Sequence, residues 1–119
     1  MKTIKFANCP TSPSADFPKP ERLVRGNPQR RTWNHYSDPT DHVHAGLWTS
    51  EVGAWRIEYS ATLGEFFHLL EGEIALTDES GTRTVYCPGD ACIIPPGFKG
   101  LFEVMKPAKK HYVLWESAP

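Results

Sequence analysis

The chain has 119 residues, which suits a single domain with one hydrophobic core. Hydrophobic residues make up 39% of the sequence and charged residues 23%, which is typical of a globular protein and excludes a disordered one. The formal net charge is -1, so the chain has no broad basic field for nucleic acid or anionic lipid. We therefore predict no nucleic-acid partner. We interpret the local arginine cluster as a solvated segment: Arg22, Arg25, Arg30 and Arg31.

The N-terminal segment carries no targeting signal that we recognise. Residues 1–8 lack the apolar run of a signal peptide, and no run of roughly 18 apolar residues occurs in the chain. Cys9, Cys87 and Cys92 are an odd number of cysteines without metal-type spacing, which argues against a disulfide framework. These features predict a soluble cytoplasmic protein with no membrane partner.

Prolines are concentrated at the start of the chain. Five of the eleven fall within the first thirty residues: Pro10, Pro13, Pro18, Pro20 and Pro28. Proline fixes φ and lacks the backbone N–H, so this segment can form neither a helix nor a central strand. We predict an extended arm over residues 1–30, lying along the wall of a domain at 31–119 or reaching a second subunit.

The rest of the chain consists of short runs rich in β-branched and aromatic residues, separated by Gly, Pro, Asp or Ser. The runs are residues 32–36, 43–49, 54–60, 66–70, 73–78, 82–86, 91–94, 100–105 and 109–115. The second and third could form one long bent strand, which gives about eight strands and predicts a sandwich or barrel. Runs 66–70 and 92–94 are apolar on both faces, so a closed barrel plus the arm or a second subunit must cover them.

Two motifs resemble those of the cupin superfamily. Residues 89–97, Gly-Asp-Ala-Cys-Ile-Ile-Pro-Pro-Gly, match the second cupin motif, and Glu65-x6-Gly72 matches the end of the first. Segments 65–73, 88–90, 96–100 and 110–113 further resemble the cupins related to the C-terminal domain of (S)-ureidoglycine aminohydrolase. The resemblance implies an all-β fold, a small cupin β-barrel (double-stranded β-helix or jelly roll) with an extended N-terminal arm.

The resemblance also implies where a cupin would bind a divalent metal. A His-x-His pair before the motif glutamate and a histidine after the second motif join that glutamate around the ion. The pair's positions hold Tyr59 and Ala61 in one loop register and Glu58 and Ser60 in the other, and the third position is Gly100. Glu65, with or without Glu58, makes a poor transition-metal site without imidazole. We predict no firmly bound metal cofactor, and a weakly bound divalent metal stays open.

Glu65 is the principal site candidate. Strand alternation directs Glu65 and Phe67 into the barrel, and Phe102 meets them from the other side. An interior carboxylate without a partner is costly. We predict that it serves acid–base chemistry with Glu58 or Tyr59, with Gly100 leaving room for a cavity. The ligand would contact four residues, namely Phe67, Phe102, Arg56 and Lys99. The competing interpretation is a structural ion pair of Glu65 with Arg56 or Lys99.

The histidines leave a second possibility open. His68 follows Glu65 by three residues, which places it on the opposite face of a regular strand. His42 and His44 have the spacing to share one face, but they lie far upstream of Glu65. A metal enzyme for a ureido-type substrate, using Glu65 with His68 or with His42 and His44, is one alternative. A filled barrel serving as a structural or regulatory module is another.

The sequence thus predicts a homodimeric cupin barrel that binds a small polar metabolite. The apolar strand faces and the arm, which has no core of its own, are the reasons for expecting a second subunit. The prediction does not specify the ligand, because no motif in the chain selects one.

Overall fold

The computed structural model describes residues 1–117, which form nine β-strands and two single turns of 3-10 helix. The turns are Phe6–Asn8 and Pro20–Arg22. The strands are β1 Ser14–Asp16, β2 Leu23–Arg25, β3 Arg30–Ser37, β4 Val43–Ser50, β5 Gly53–Glu58, β6 Leu63–Asp78, β7 Arg83–Tyr86, β8 Ala91–Ile94 and β9 Lys99–Glu116. The predicted all-β class is confirmed. Within residues 1–117, no helix has the length and apolar character needed to cross a membrane.

Two long strands, β6 and β9, hold the barrel together. They pair antiparallel from Leu63↔Glu116 to Asp78↔Gly100. The second half of β9 pairs with β4 and its first half pairs with β5, so the sheet runs β1-β3-β4-β9-β5-β2. Strands β7 and β8 pair with the two halves of β6. The predicted division of the chain into strands was therefore wrong in these places. β4 and β5 are separate strands, whereas β6 and β9 each join two predicted runs.

The bend that lets these strands serve both halves lies at Gly72. The pairing of β6 with β9 changes register between Leu69 and Ile74, and Gly72 has a φ of +89°. A Cβ atom at Gly72 would lie 2.2 Å from the carbonyl oxygen of Pro107. Glycine adopts this positive φ without strain and has no Cβ atom to clash with β9. Gly72 therefore allows the sheet to curl at this point.

The N-terminal arm lies along the wall of its own barrel. Strand β1 pairs with β3, and β2 pairs with β5, so residues 14–16 and 23–25 extend the sheet. The ring of Phe6 packs on the outer face, 4.9 Å from the His35 ring and 5.5 Å from the His111 ring. Residues 14–16 and 23–25 of the predicted arm therefore lie along the wall of the same chain's barrel.

The inward face of the barrel follows the alternation predicted from the sequence. Phe67, Leu69 and Val104 are fully buried, and Phe102 is 3% exposed. Gly100, however, does not leave the predicted space. A Cβ atom there would lie 2.1 Å from the carbonyl oxygen of Thr77, because β6 packs directly against this point of β9. The room in the barrel therefore has another origin.

Candidate functional site

A cavity of about 440 Å³, partly open to solvent, lies inside the barrel. Its walls come from β3, β4, β5, β6 and β9, with one residue from the arm strand β1 and Tyr59 from the β5–β6 connection. The lining residues are Asp16, Arg30, Thr32, Asn34, His44, Trp48, Trp55, Ile57, Tyr59, Leu63, Glu65, Phe102, Lys110, Tyr112 and Leu114. Aromatic rings and two pairs of opposite charges thus share one small space.

The cavity contains a buried ion pair. The Nζ atom of Lys110 on β9 lies 2.7 Å from Oε2 of Glu65 on β6, and each side chain is 5% exposed. The two strands are neighbours, and Leu69 is the residue of β6 that pairs with Lys110. Because burial removes both charges from water, the short contact is what makes either charge tolerable in this position.

Three aromatic rings surround the Lys110 ammonium group. Nζ lies 4.4 Å from the ring centroid of Trp48, 4.6 Å from that of Phe67 and 5.1 Å from that of Phe102. These distances are within the range in which a cation is attracted by the face of a ring. Trp48 is the residue of β4 that pairs with Lys110, so the sheet register itself places indole and ammonium side by side.

Tyr59 makes a second hydrogen bond to the carboxylate of Glu65. Its hydroxyl donates a hydrogen bond of 2.6 Å to Oε1 of Glu65. Burial, followed by the charge of Glu65 and its hydrogen bond, raises the pKa of Tyr59 well above its usual value. Tyr59 therefore stays a neutral donor, and each oxygen of Glu65 accepts one hydrogen bond from the protein.

A second ion pair lines the same cavity. Arg30 on β3 makes a two-pronged contact with Asp16 on β1, with Nε 3.0 Å from Oδ1 and Nη2 2.7 Å from Oδ2. The guanidinium carbon lies 5.0 Å from the ring centroid of Trp55, which stacks on Phe102 at 4.9 Å. Asp16 of strand β1 therefore contributes to the cavity by neutralising Arg30.

Tyr112 and Asn34 form a further polar contact in the cavity wall. The Tyr112 hydroxyl donates a hydrogen bond of 2.8 Å to Oδ1 of Asn34. Burial, and to a smaller extent the charge of Glu65, raises the pKa of Tyr112 to about 12. Like Tyr59, this phenol stays neutral under ordinary conditions.

The structure brings three of the predicted site residues to the cavity, namely Glu65, Tyr59 and Phe102. Phe67 is fully buried beneath Lys110 and does not line the cavity. Its contact with the site is the ring face that it presents to the ammonium group.

The other three predicted residues, Arg56, Glu58 and Lys99, lie outside the cavity and are exposed. Trp55 and Ile57 face inward on β5, so alternation turns Arg56 and Glu58 outward. Glu58 and Lys99 contact each other at 3.5 Å on the surface. The ion pair considered for Glu65 is present, but its partner is Lys110 and neither Arg56 nor Lys99.

Sequence reasoning missed Lys110, Arg30 and Trp48. The signal for Lys110 was available, since the buried residues of β9 are all even-numbered: Phe102, Val104, Ala108, Lys110 and Tyr112. A lysine in that series points inward. Pro107 lies between the predicted runs 100–105 and 109–115, so the alternation predicted for the first run does not extend to Lys110. Arg30 was assigned to the arm and was therefore not considered as a wall residue.

The histidines do not gather at Glu65. His44 lines the cavity, with Nδ1 2.7 Å from the Ser37 hydroxyl. His42 precedes β4, and its Nδ1 lies 2.8 Å from the Thr40 hydroxyl, so the two imidazoles do not form a pair. His68 pairs with His111 on the outer face, as strand alternation predicts.

The residues around Glu65 do not fit a divalent metal. A cupin metal would share the motif glutamate, but in this chain an ammonium group already contacts one oxygen of that carboxylate and a phenol the other. A cation placed there would meet the positive charge of Lys110 at close range. Within residues 1–117, no three His, Cys, Asp or Glu side chains are grouped so that they could hold a metal ion.

Solved structures with the same fold include proteins of three bacteria. A protein of unknown function from Pseudomonas syringae superposes with a TM-score of 0.77 at 23% identity, over 90% of this chain and 45% of that one. The putative ethanolamine utilization protein Q of Salmonella typhimurium has a TM-score of 0.64 at 17% identity, over 92% and 99% of the two chains. The EutQ protein of Clostridium difficile has a TM-score of 0.64 at 16% identity, over 76% and 64%.

These identities are low enough that the similarity concerns the fold alone. This chain spans less than half of the Pseudomonas protein, at 45% of its length. No curated protein sequence matches the chain.

The sequence model of the EutQ-like cupin domain, in contrast, matches residues 37–112, which is more than half of the chain. The predicted cupin β-barrel is thereby confirmed, and the chain belongs to the EutQ-like cupin family.

Proposed function

We propose that this protein binds a small polar metabolite in the barrel cavity, with Lys110 and Glu65 as the groups that hold it. The observation that carries the proposal is the hydrogen bonding of Lys110. An ammonium group has three donors. Within residues 1–117, the side chain of Lys110 has one hydrogen-bond acceptor, Oε2 of Glu65, and it lines the cavity.

The remaining donors of Lys110 favour an occupant with an acceptor atom. A buried donor without a partner costs free energy, and the aromatic rings around Nζ supply no oxygen or nitrogen acceptor. A ligand oxygen in the cavity would supply one. Trp48, Trp55 and Phe102 would provide apolar contact area for the rest of the ligand.

Acid–base chemistry, if the bound molecule reacts, would be centred on Glu65. Glu65 is buried beside the cavity and keeps a lone pair on each oxygen after its bonds to Tyr59 and Lys110. Proton transfer would therefore run between ligand and Glu65, with Lys110 stabilising the carboxylate form. Glu58 does not support this role, because it lies on the surface beside Lys99.

The proposal is tested by ligand binding with Lys110 changed. A panel of small metabolites is screened by thermal unfolding of the wild type, and each hit is measured by calorimetry below the unfolding temperature of every variant. A ligand at about a hundred times its Kd stabilises the folded state by about 2.7 kcal/mol. We expect Lys110→Met to lose the binding and Lys99→Met, outside the cavity, to keep it. A hit that binds Lys110→Met as tightly as the wild type would contradict the proposal.

A metal-dependent reaction like that of (S)-ureidoglycine aminohydrolase is the competing proposal. It needs a divalent ion bound to Glu65, at the position that the ammonium group of Lys110 occupies in this structure. We therefore expect the purified, untagged protein to carry no stoichiometric zinc, iron, manganese or nickel. Elemental analysis after dialysis against a weak chelator tests this expectation, and one retained equivalent of metal would support the aminohydrolase-like alternative instead.

The outer face of the barrel supports the proposal of a homodimer. Residues paired across β8, β6, β9, β4 and β3 point to the same side and form one row: Ile93, Phe66, Val113, Ala45 and Tyr36. The row contains no Asp, Glu, Lys or Arg. Ile93 is 58% exposed and Phe66 is 37% exposed within one chain. An uncharged apolar face is compatible with a second copy of itself across a twofold axis.

We expect light scattering at micromolar concentration to give the mass of a dimer. Phe66→Glu and Ile93→Glu should shift the protein to the monomer, because each would place a charge in the apolar interface. Val52→Glu is the matched control, since Val52 is an exposed apolar residue at 46% exposure and lies in the β4–β5 connection. A monomeric wild type, or a dimer unaffected by both substitutions, would refute this interface.

A further inference from the structure

Resting on the proposed function, we propose that the ligand is uncharged and that the group held by Lys110 and Glu65 pairs an acceptor oxygen with an adjacent N–H donor, as a primary carboxamide does. The inference concerns the chemical class of the ligand. It rests on the charge balance of the cavity and on the order of donors and acceptors at the ion pair.

The charged residues that line the cavity already compensate one another. Lys110 contacts Glu65 at 2.7 Å, and Arg30 contacts Asp16 at 2.7 Å. The imidazole of His44 also lines the cavity, and its Nε2 lies 3.5 Å from Oδ1 of Asp41. A ligand carboxylate would add an unbalanced negative charge next to Glu65, and a ligand ammonium group would add a positive one next to Lys110. A neutral ligand avoids both of these costs.

The ion pair presents a donor directly beside an acceptor. Nζ of Lys110 keeps hydrogen atoms beyond the one given to Glu65, and Oε2 of Glu65 keeps a lone pair beyond the one used by Lys110. A carboxamide offers the matching order, since its oxygen accepts from Lys110 while its NH2 group donates to Glu65. A carboxylate has two acceptors and no donor, so it would satisfy Lys110 and leave Glu65 facing an oxygen.

The aromatic wall adds apolar surface for the rest of the ligand. Trp55 and Phe102 are stacked at 4.9 Å, and Trp48 lies edge-on to Phe102 at 5.8 Å. These rings are in the cavity lining, so the part of the ligand next to them meets apolar surface. A cavity of about 440 Å³ has room for a single-ring compound carrying one carboxamide.

The test uses pairs of ligands that differ only in the group of interest: benzamide against benzoate, and nicotinamide against nicotinate. Calorimetry near neutral pH measures both members of each pair with the wild-type protein. We expect the carboxamide to bind at least about tenfold more tightly than the matching carboxylate. A carboxylate that binds as tightly as, or more tightly than, its carboxamide would overturn the proposal.

The Glu65→Gln variant makes the test specific for charge. With Glu65 neutral, Lys110 lacks its counter-charge, so the preference should reverse and favour the carboxylate by about tenfold. A purely structural role of Glu65 would lower stability without reversing the preference. Glu71→Gln is the matched control, because Glu71 pairs with Lys109 at the surface, and the wild-type preference should persist in it.

The outcomes separate this inference from the proposed function. If the carboxamide preference does not reverse in Glu65→Gln, the charge argument is wrong. If neither member of either pair binds while another metabolite binds in a Lys110-dependent way, the ligand class is wrong and the proposed function stands. If no compound of the metabolite panel binds, both fail. The preference in the wild type together with its reversal in Glu65→Gln establishes the inference.

Discussion

Replacing Lys110 with methionine is expected to lower the free energy of unfolding by about 3–5 kcal/mol. The substitution keeps an unbranched apolar stem of similar length but removes the terminal ammonium group and its charge. Glu65 is 4% exposed in the wild type, and within residues 1–117 the side-chain donor that it keeps in the variant is the Tyr59 hydroxyl. The large effect arises because a buried charge without its partner keeps its desolvation cost, whereas the surrounding rings offer no compensation.

Lys109→Met is the matched control for this loss. Lys109 is the neighbouring residue of β9 and also has a partner, Glu71, at 3.1 Å, but its side chain is 40% exposed. Exposed pairs of this kind contribute about 0–1 kcal/mol, so we expect a change of that size. Urea unfolding of both variants gives the comparison. Equal losses at positions 109 and 110 would contradict the importance of burial.

The double variant Glu65→Gln with Lys110→Met should regain much of the lost stability. It contains neither charge, and the glutamine still accepts the hydrogen bond from Tyr59. The two single substitutions are therefore expected to be non-additive by about 0.5–3 kcal/mol. Additive losses would mean that the two side chains contribute through packing and not through their mutual attraction.

The second large effect is a loss of stability at alkaline pH. The pKa of Tyr112 is raised to about 12 and that of Tyr59 is raised further, in both cases mainly by burial. In the unfolded chain a tyrosine has its usual pKa of about 10. Below this pH both states are protonated, and the contribution to stability is complete. Above it, the unfolded state loses protons that the folded state retains, so stability falls as the pH rises.

The expected slope follows from the linkage relation. Each of the two phenols contributes a decrease of about 1.4 kcal/mol per pH unit once the unfolded form is ionised, until its own folded pKa is reached. Urea unfolding at a series of pH values from neutral upward, with phenolate absorbance as a second readout, tests this. Tyr59→Phe should make the decline shallower, because it removes one of the two phenols whose pKa is raised by burial. A decline equally steep in wild type and Tyr59→Phe would contradict the assignment.

Local patterns in the sequence determined the fold class and one half of the ion pair. Alternation within a strand has a period of two, so the inward direction of Glu65, Phe67 and Phe102 follows from a few neighbouring residues. Residues 89–97 likewise resemble the second cupin motif, and this resemblance implies the fold without any knowledge of strand pairing. These are properties of short segments, and the sequence expresses them directly.

The partner of Glu65, in contrast, was decided by the tertiary structure. Lys110 is 45 residues away along the chain, and it reaches Glu65 because β6 and β9 are neighbouring strands in a curled sheet. The curl depends on the close approach of Gly72 to Pro107, a contact between two strands that no local pattern encodes. The same holds for Arg30 and Asp16, which meet because β1 pairs with β3. The sequence by itself therefore determined that a carboxylate is buried in this barrel. The neutralisation of that carboxylate by a lysine, and the cavity beside the pair, follow from long-range strand pairing, whose register depends on the whole sheet.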